Sequence, residues 1–503
     1  MSGSLFAALS AGRDRSKTAV VSGWDRSMTY GDLFDASGRM AHRLVALGVK
    51  SGDRIAVQTA KSAEVLVLYL AALRVGAVYL PLNTDYTPAE VGYFLGDAEP
   101  ALFVVDPSVA GAAAGITEGS SARVATLGTN GRSGTLLEGF ENLPAAFDDV
   151  ELSPDDLAAI LYTSGTTGRS KGAMLTHRNL LSNAETLVRE WRFTAEDELL
   201  HALPIYHTHG LFVATNVPLL AGATIRLLPR FDLDAIFRGF ESATVMMGVP
   251  TFYTRLLADP RLDRASTAGM RLFVSGSAPL LAETHRAWEA ATGHRILERY
   301  GMTETNMNSS NPHDGERRPG TVGLALPGVS IRVVDPETRT PLPAGEIGMV
   351  EVRGPNVFKG YWRMPEKTAA ELREDGYFIT GDLGRLSEDG YLEIVGRGKD
   401  LVISGGLNVY PKEVESEIDA IDGVEESAVI GIPDPDFGEA VTAVVVRSPG
   451  STVTEAGIRE ALSERLARFK LPRTIAFVDA LPRNTMGKVQ KSVLRERFSA
   501  KGT

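Results

Sequence analysis

The chain has 503 residues, 44% hydrophobic and 23% charged, a composition ordinary for a soluble globular protein and too long for one core, so about two to four domains are expected. Its formal net charge of -11 argues against a nucleic-acid partner, which would want a basic face. It contains no cysteine, which excludes disulfides, thiolate metal sites and a cysteine nucleophile, so any thiol in the chemistry must arrive with a substrate.

The N-terminus, Met-Ser-Gly-Ser-Leu-Phe, lacks the basic start and long apolar core of a signal peptide, and a cytoplasmic enzyme is expected. Asp53–Gln58 reads as a strand. The longest apolar stretch, Ala63 to Leu82, is broken by Arg74 and Gly76 and is too short on either side to span a bilayer. It reads as a buried helix (Glu64 to Arg74) followed by a strand (Ala77 to Leu82), and no membrane partner is expected. Ala101–Val105 is a further strand. Pro107 to Gly139, rich in Gly, Ala, Ser and Thr, reads as a surface excursion.

Residues 157 to 172 run Leu-Ala-Ala-Ile-Leu-Tyr-Thr-Ser-Gly-Thr-Thr-Gly-Arg-Ser-Lys-Gly. An apolar run ends in a loop with Thr163, Ser164, Gly165, Thr166, Thr167, Gly168 and Lys171. Glycines let backbone N–H groups approach anionic oxygens, hydroxyls add donors, and Arg169 and Lys171 add charge, a grip suited to a polyphosphate. The spacing does not match a Walker A loop, and Ala173-Met174-Leu175-Thr176 reads as a strand where a P-loop would open a helix. A plain Gly/Thr/Ser hairpin turn is the competing reading.

Thr224–Leu228 and Arg271–Ser275 continue the alternation of strands with helical patterns, which points to α/β layers through the first 400 residues. Leu280 to Thr292 reads as a helix with an apolar stripe of Leu280, Leu281, Thr284, Ala287, Trp288 and Ala291; Arg286 lies off that stripe and, by periodicity, is solvated. From 322 to 395 the texture changes to short strands with Gly, Pro and Asp-Gly turns, suggesting a small β-barrel or β-layer. After Gly396-Arg397-Gly398-Lys399-Asp400, whose charges and glycines fit a flexible boundary, comes a compact α+β tail. Its expected elements are a helix from Pro411 to Ile421, strands Glu426–Ile432 and Ala440–Val446, and a helix from about Thr454 to Leu466.

Tyr300-Gly301-Met302-Thr303-Glu304, Thr380-Gly381-Asp382, Arg397-Gly398-Lys399-Asp400 and Pro482-Arg483-Asn484-Thr485-Met486-Gly487-Lys488 follow the phosphate-type loop in order. With these motifs the chain resembles the acyl-adenylate-forming superfamily over nearly its whole length. The resemblance implies an N-terminal domain over 1–398 and a mobile C-terminal domain over 399–503, with a hinge at Lys399. It implies that a carboxylate attacks the α-phosphate of ATP and expels pyrophosphate, and that the acyl adenylate then passes to a thiol.

On that resemblance the ATP contacts are Thr163 to Gly168, Lys171, Gly276, Ser277, Ala278, Glu298, Arg299, Tyr300, Gly301, Met302, Thr303, Asp382, Arg397 and Lys488. Glu304, beside Thr303, would hold Mg²⁺, a hard ion suited to carboxylate and phosphate oxygens. Asp382 would accept from the ribose hydroxyls and the Tyr300 ring would stack on adenine. Lys488, which local sequence reads as part of a basic solvated tail, becomes the lysine that reaches the attacking carboxylate. It is also an expected target of a lysine acetyltransferase, because family lysines in this loop are acetylated. A swing about Lys399 would withdraw Lys488 and present Ser404, Gly405 and Gly406 to the pantetheine arm. The sequence ends soon after Lys488, which fits diffusible coenzyme A as acceptor.

Substrate choice is expected from Pro204-Ile205-Tyr206-His207-Thr208-His209-Gly210, Met247-Gly248-Val249-Pro250 and Ser275 to Arg286. Read alone, His207 and His209 are equally well structural histidines. The fuller text resembles malonyl-CoA synthetases, which implies a small dicarboxylate with Arg286 and His207 on the carboxylate that is not activated and His207 among the catalytic groups. A guanidinium offers such a charge a bidentate partner. Malonate is then the expected acid and methylmalonate the runner-up, since one methyl gives only about 1–3 kcal/mol of discrimination. The alternatives are a short-chain or aryl monocarboxylate–CoA ligase, a catalytically dead nucleotide-binding relative, and a phosphotransferase that would release ADP.

Overall fold

The computed structural model describes residues 3–118, 122–129, 131–163, 170–404, 407–434, 438–466, 468–484 and 487–499. Two large mixed sheets and a smaller antiparallel one precede a C-terminal α+β unit. The first large sheet has seven strands in the order Gly360–Tyr361, Lys171–Thr176, Leu157–Thr163, Val78–Pro81, Arg54–Gln58, Leu102–Val105, Arg123–Thr126. The second has nine, with Leu297–Met302, Leu272–Ser275, Val245–Gly248, Glu198–His201, Thr224–Leu227 and Thr18–Ser22 parallel in its centre and antiparallel strands at both edges.

The helix Ala63–Arg74 shows why its sequence is apolar on every side. It lies between the layers, with every residue but Glu64 buried, and a helix covered all round needs no polar face. Ser62 caps it, accepting from the Val65 N–H. Its core neighbours come from both large sheets: Ile55, Tyr79 and Ala158 from one, Val20, Ile225 and Leu227 from the other. Arg74 closes the helix inside protein, paired with Asp149 at 2.5 Å and donating to the Phe34 carbonyl.

The 107–139 stretch is more ordered than its composition suggests. It holds a short helix, Ala110–Ile116, and the edge strand Arg123–Thr126, with Leu127 and Leu136 in the main core. Four residues of strand in a Gly/Ala-rich context carry too little periodicity to be read in advance. Over 322–395 the β-unit is a four-stranded antiparallel sheet, Ser330–Val334, Gly348–Arg353, Phe378–Leu386 and Leu392–Arg397. The C-terminal residues build their own cores around Val402, Ile418, Val429, Val445 and Leu462 on one sheet face and Ile430, Val444 and Leu494 on the other. Among the described residues, no helix is long and apolar enough to cross a membrane.

Candidate active site

Parallel strands aim their carboxyl ends, and the loops that follow them, to one side of a sheet, and ligands collect there. In the nine-stranded sheet the adjacent strands Glu198–His201, Val245–Gly248, Leu272–Ser275 and Leu297–Met302 deliver the 202–210 loop, Val249, the 276–280 turn and Tyr300 to one edge of a cleft. The opposite wall comes from the small antiparallel sheet, through Asp382 and Arg397.

On that nucleotide-type wall, Asp382 is buried and doubly engaged. It pairs with Arg397 at 2.7 Å and accepts from the Tyr300 hydroxyl at 2.5 Å. The neighbouring Asp382 carboxylate holds the Arg397 guanidinium above its usual range, and burial, followed by Asp382, pushes the Tyr300 phenol up. Glu304 is buried in the turn after Leu297–Met302, with a carboxyl oxygen 3.0 Å from the Tyr361 hydroxyl; burial raises its pKa. Thr303 sits half-buried beside it. Gly301 is required by close approach: a Cβ there would lie 2.0 Å from the Asn306 carbonyl of the returning strand.

Thr163 and Lys171 face each other across an antiparallel pair, Leu157–Thr163 with Lys171–Thr176. Lys171 therefore opens a strand, where a P-loop would open a helix. Ser164, Gly165, Thr166, Thr167 and Gly168 lie outside the described residues. The Lys171 ammonium is 3.4 Å from Glu371 and 3.2 Å from the Tyr361 hydroxyl, which itself donates to Glu371 at 2.6 Å. Sequence reasoning missed Glu371 and Tyr361; they lie 190 or more positions from Lys171 with no local pattern to mark them.

The loops after the central strands gather buried polar atoms that have no hydrogen-bond partner. Arg299 is buried, with Nε and Nη2 unsatisfied, and burial draws its pKa down to about 9. Gly276 makes room for it, since a Cβ there would be 2.4 Å from the guanidinium carbon. His207 Nε2 and His209 Nε2 are likewise buried and unpaired. Burial, with Lys488 nearby, lowers the His207 pKa to about 4, and burial, with Arg299 next, takes His209 well below its ordinary value, so both imidazoles are neutral at pH 7. His209 Nδ1 meets Ser277 Oγ at 3.2 Å, and Ser277 is held at φ 72°, a conformation a non-glycine residue tolerates only where surroundings enforce it. Glu298 turns away from the cleft to accept the Leu280 N–H at 3.1 Å, bracing the turn that carries Gly276, Ser277 and Ala278; burial raises its pKa to about 8, so it is largely neutral at pH 7.

The C-terminal unit reaches this cleft. Gly487 packs beside Thr251, where a Cβ would lie 3.3 Å from the threonine hydroxyl. Lys488 keeps contact with solvent, yet protein surrounds it, and desolvation followed by the charge of Arg397 pulls its pKa to about 8; Asp382, Glu304 and Arg299 also act on it. Lys399 lies exposed in the turn Gly398–Asp400, and its neighbour Asp400 pairs with Arg495 at 2.6 Å. Ser404 is buried in the strand Val402–Ser404; Gly405 and Gly406 lie outside the described residues.

Arg286 is solvated, as its place off the expected apolar stripe implies. The helix Ala282–Thr292 buries Thr284, His285, Trp288 and Thr292, so its inner face is rotated from the stripe expected from periodicity, and Arg286 is exposed on the outer side. Its electrostatic influence falls on His285, not on His207 or His209. Arg286→Ala is therefore expected to change stability by no more than about 0.5 kcal/mol and to leave kcat/KM for the acid within about two-fold. Steady-state kinetics of the variant check this.

A protein-family profile described as AMP-binding enzyme matches residues 8–362, and one described as AMP-binding enzyme C-terminal domain matches 413–488. The chain belongs to the AMP-binding enzyme family. It is an acyl-CoA ligase, an AMP-forming acid–thiol ligase. The ligase is 36% identical to a malonate–CoA ligase of Arabidopsis thaliana, over 91% of this chain and 80% of that one, and 36% identical to a feruloyl-CoA synthase of Amycolatopsis sp over 96% of each. It is 60% identical to MatB of Rhodopseudomonas palustris, covering 100% of both chains. The TM-score is 0.98 against the ATP-bound form of MatB and 0.88 against its apo form.

Proposed function

We propose that the ligase activates malonate, joining it to coenzyme A through a malonyl adenylate, with methylmalonate as a second substrate. The observation that carries this is the buried Arg299 guanidinium, two of whose nitrogens have no protein partner, among the unpaired Nε2 atoms of His207 and His209. A monocarboxylate site has no use for a desolvated cation, whose burial is costly without an anion. A dicarboxylate supplies that anion. Arg299, first expected among the nucleotide contacts, thus takes the role first expected of Arg286. The malonate–CoA ligases among the relatives support the same acid.

In the first half-reaction one malonate carboxylate oxygen bonds to the α-phosphorus of ATP, the bond to the β-phosphate oxygen breaks, and pyrophosphate leaves. Two anions must approach one another, so cations have to converge on the reacting atoms. Lys488 serves the attacking carboxylate and the α-phosphate, while Arg299, with the neutral His207 and His209, holds the far carboxylate. Asp382 takes the ribose hydroxyls, with Tyr300 and Arg397 orienting it, and the segment from Thr163 to Gly168 with Lys171 holds the β- and γ-phosphates. Glu304 suits Mg²⁺ as the single carboxylate of a site completed by phosphate oxygens and water; among the described residues no cluster of three such ligands exists to hold a metal alone. When bound, the ion would neutralise phosphate charge.

In the second half-reaction the thiol sulfur of coenzyme A bonds to the acyl carbon, the bond to the AMP oxygen breaks, AMP leaves and the thiol proton passes to solvent. Lys399, exposed in its turn, is the pivot that would carry Lys488 out and bring Ser404, Gly405 and Gly406 in. The test is AMP release with coenzyme A present across malonate, methylmalonate, succinate, acetate and benzoate. Malonate is expected to lead and methylmalonate to follow within about 200-fold. Acetate or benzoate ahead of malonate would sink the reading.

A further inference from the structure

Lys61 is half-buried ahead of the helix Ala63–Arg74, on the seven-stranded-sheet side, yet the contacts of its ammonium are to the last residue of a strand of the nine-stranded sheet and to the loop that follows it. Nζ is 2.7 Å from the His201 carbonyl, 2.7 Å from the Leu203 carbonyl and 3.0 Å from His201 Nδ1. An ammonium has three hydrogens, and all three are used. His201 Nε2 lies 2.9 Å from the Gly210 carbonyl, so Nε2 carries a hydrogen and Nδ1 offers its lone pair.

These contacts clamp a single loop. His201 ends its strand, Leu203 begins the 202–210 excursion, and Gly210 ends it. There the carbonyl also accepts from Thr215 at 3.1 Å, and a Cβ on Gly210 would lie 1.9 Å from the Pro204 carbonyl. Between the clamped ends stand His207 and His209.

We propose that Lys61 is a positioning residue for acid recognition: through His201 it pins both ends of the 202–210 loop, so that His207 and His209 present their free Nε2 atoms to the acid. This rests on the reading of those histidines as acid-facing groups. Lys61 has no donor left for a ligand, so it acts only through the loop.

The full-length enzyme with Lys61→Met and, in parallel, His207→Ala tests it. Lys61→Met is expected to raise the KM for malonate ten-fold or more while the KM for ATP stays within about three-fold, a split that general destabilisation would not produce. A raised malonate KM in His207→Ala with an unchanged one in folded Lys61→Met overturns the Lys61 proposal alone. Unchanged values in both overturn the reading of the loop and the proposal with it. The ¹⁵N spectrum of histidine-labelled wild-type enzyme, with His201 assigned by the His201→Gln variant, decides even if Lys61→Met does not fold. The Nε2–H form with a hydrogen-bonded Nδ1 is expected, and the Nδ1–H tautomer overturns the proposal.

Discussion

Arg299→Met is expected to abolish malonate activation while leaving the ligand-free enzyme as stable as the wild type or more so. The two halves of this expectation share one cause. A guanidinium buried without an anion contributes an uncompensated desolvation cost, and an apolar side chain of similar length removes it. Replacing buried charges by apolar groups is often neutral or stabilising by about 1–4 kcal/mol. Once malonate is bound, the same change leaves the far carboxylate buried and unpaired, a loss of about 3–5 kcal/mol. That corresponds to roughly 10²- to 10⁴-fold in kcat/KM. Thermal melts with and without malonate, beside kinetics, check it: malonate should raise the wild-type Tm and not that of the variant. A variant that melts well below the wild type would show that Arg299 is held by protein groups after all.

Lys488→Ala is expected to remove the first half-reaction and spare the second. Loss of one cation aimed at developing charge costs about 10²- to 10³-fold in rate. Formation of the thioester from supplied malonyl adenylate should stay within a few-fold, because Lys488 is not required once pyrophosphate has left. Its pKa adds a second signature. Desolvation lowers it to about 8 in the ligand-free enzyme, and kcat/KM reports the free enzyme. The charged form is the active one, so kcat/KM for adenylation should fall as pH rises through about 8, and the residual activity of Lys488→Ala should lack that limb. Acetylation of Lys488 removes the same charge and should copy the variant. Pyrophosphate exchange and single-turnover thioester assays separate the steps.

Chemistry carried by contiguous residues was legible in the sequence. The strand that opens at Lys171 followed from the strand-like residues Ala173-Met174-Leu175-Thr176, and the buried helix Ala63–Arg74 from an apolar run without a polar face. Periodicity put Arg286 in solvent, where it is, and only the resemblance gave it a carboxylate to hold; what periodicity misread is the inner face, to which it assigned Ala287 and Ala291. The helix instead turns His285 into the protein, a polar residue that a hydrophobic pattern cannot assign to a core. Arg299 sat inside a motif read for ATP, and only the space left by Gly276 shows where its guanidinium goes. Lys61 and His201 meet across 140 residues, and Lys171 and Glu371 across 200; no local pattern encodes such pairs. Sequence marks the strands' ends, and topology decides which ends become neighbours.

The central claim is that the site reads a second negative charge through Arg299. Malonate and malonamate, its half-amide, differ at that group alone, in charge and with little change in shape. The ratio of their kcat/KM values, measured by AMP release in the wild-type enzyme and in Arg299→Met, tests the claim most directly. The account predicts a preference for malonate of about 10²-fold or more in the wild type, collapsing toward unity in the variant. A wild-type ratio near one, or a large ratio that survives the loss of Arg299, would contradict it.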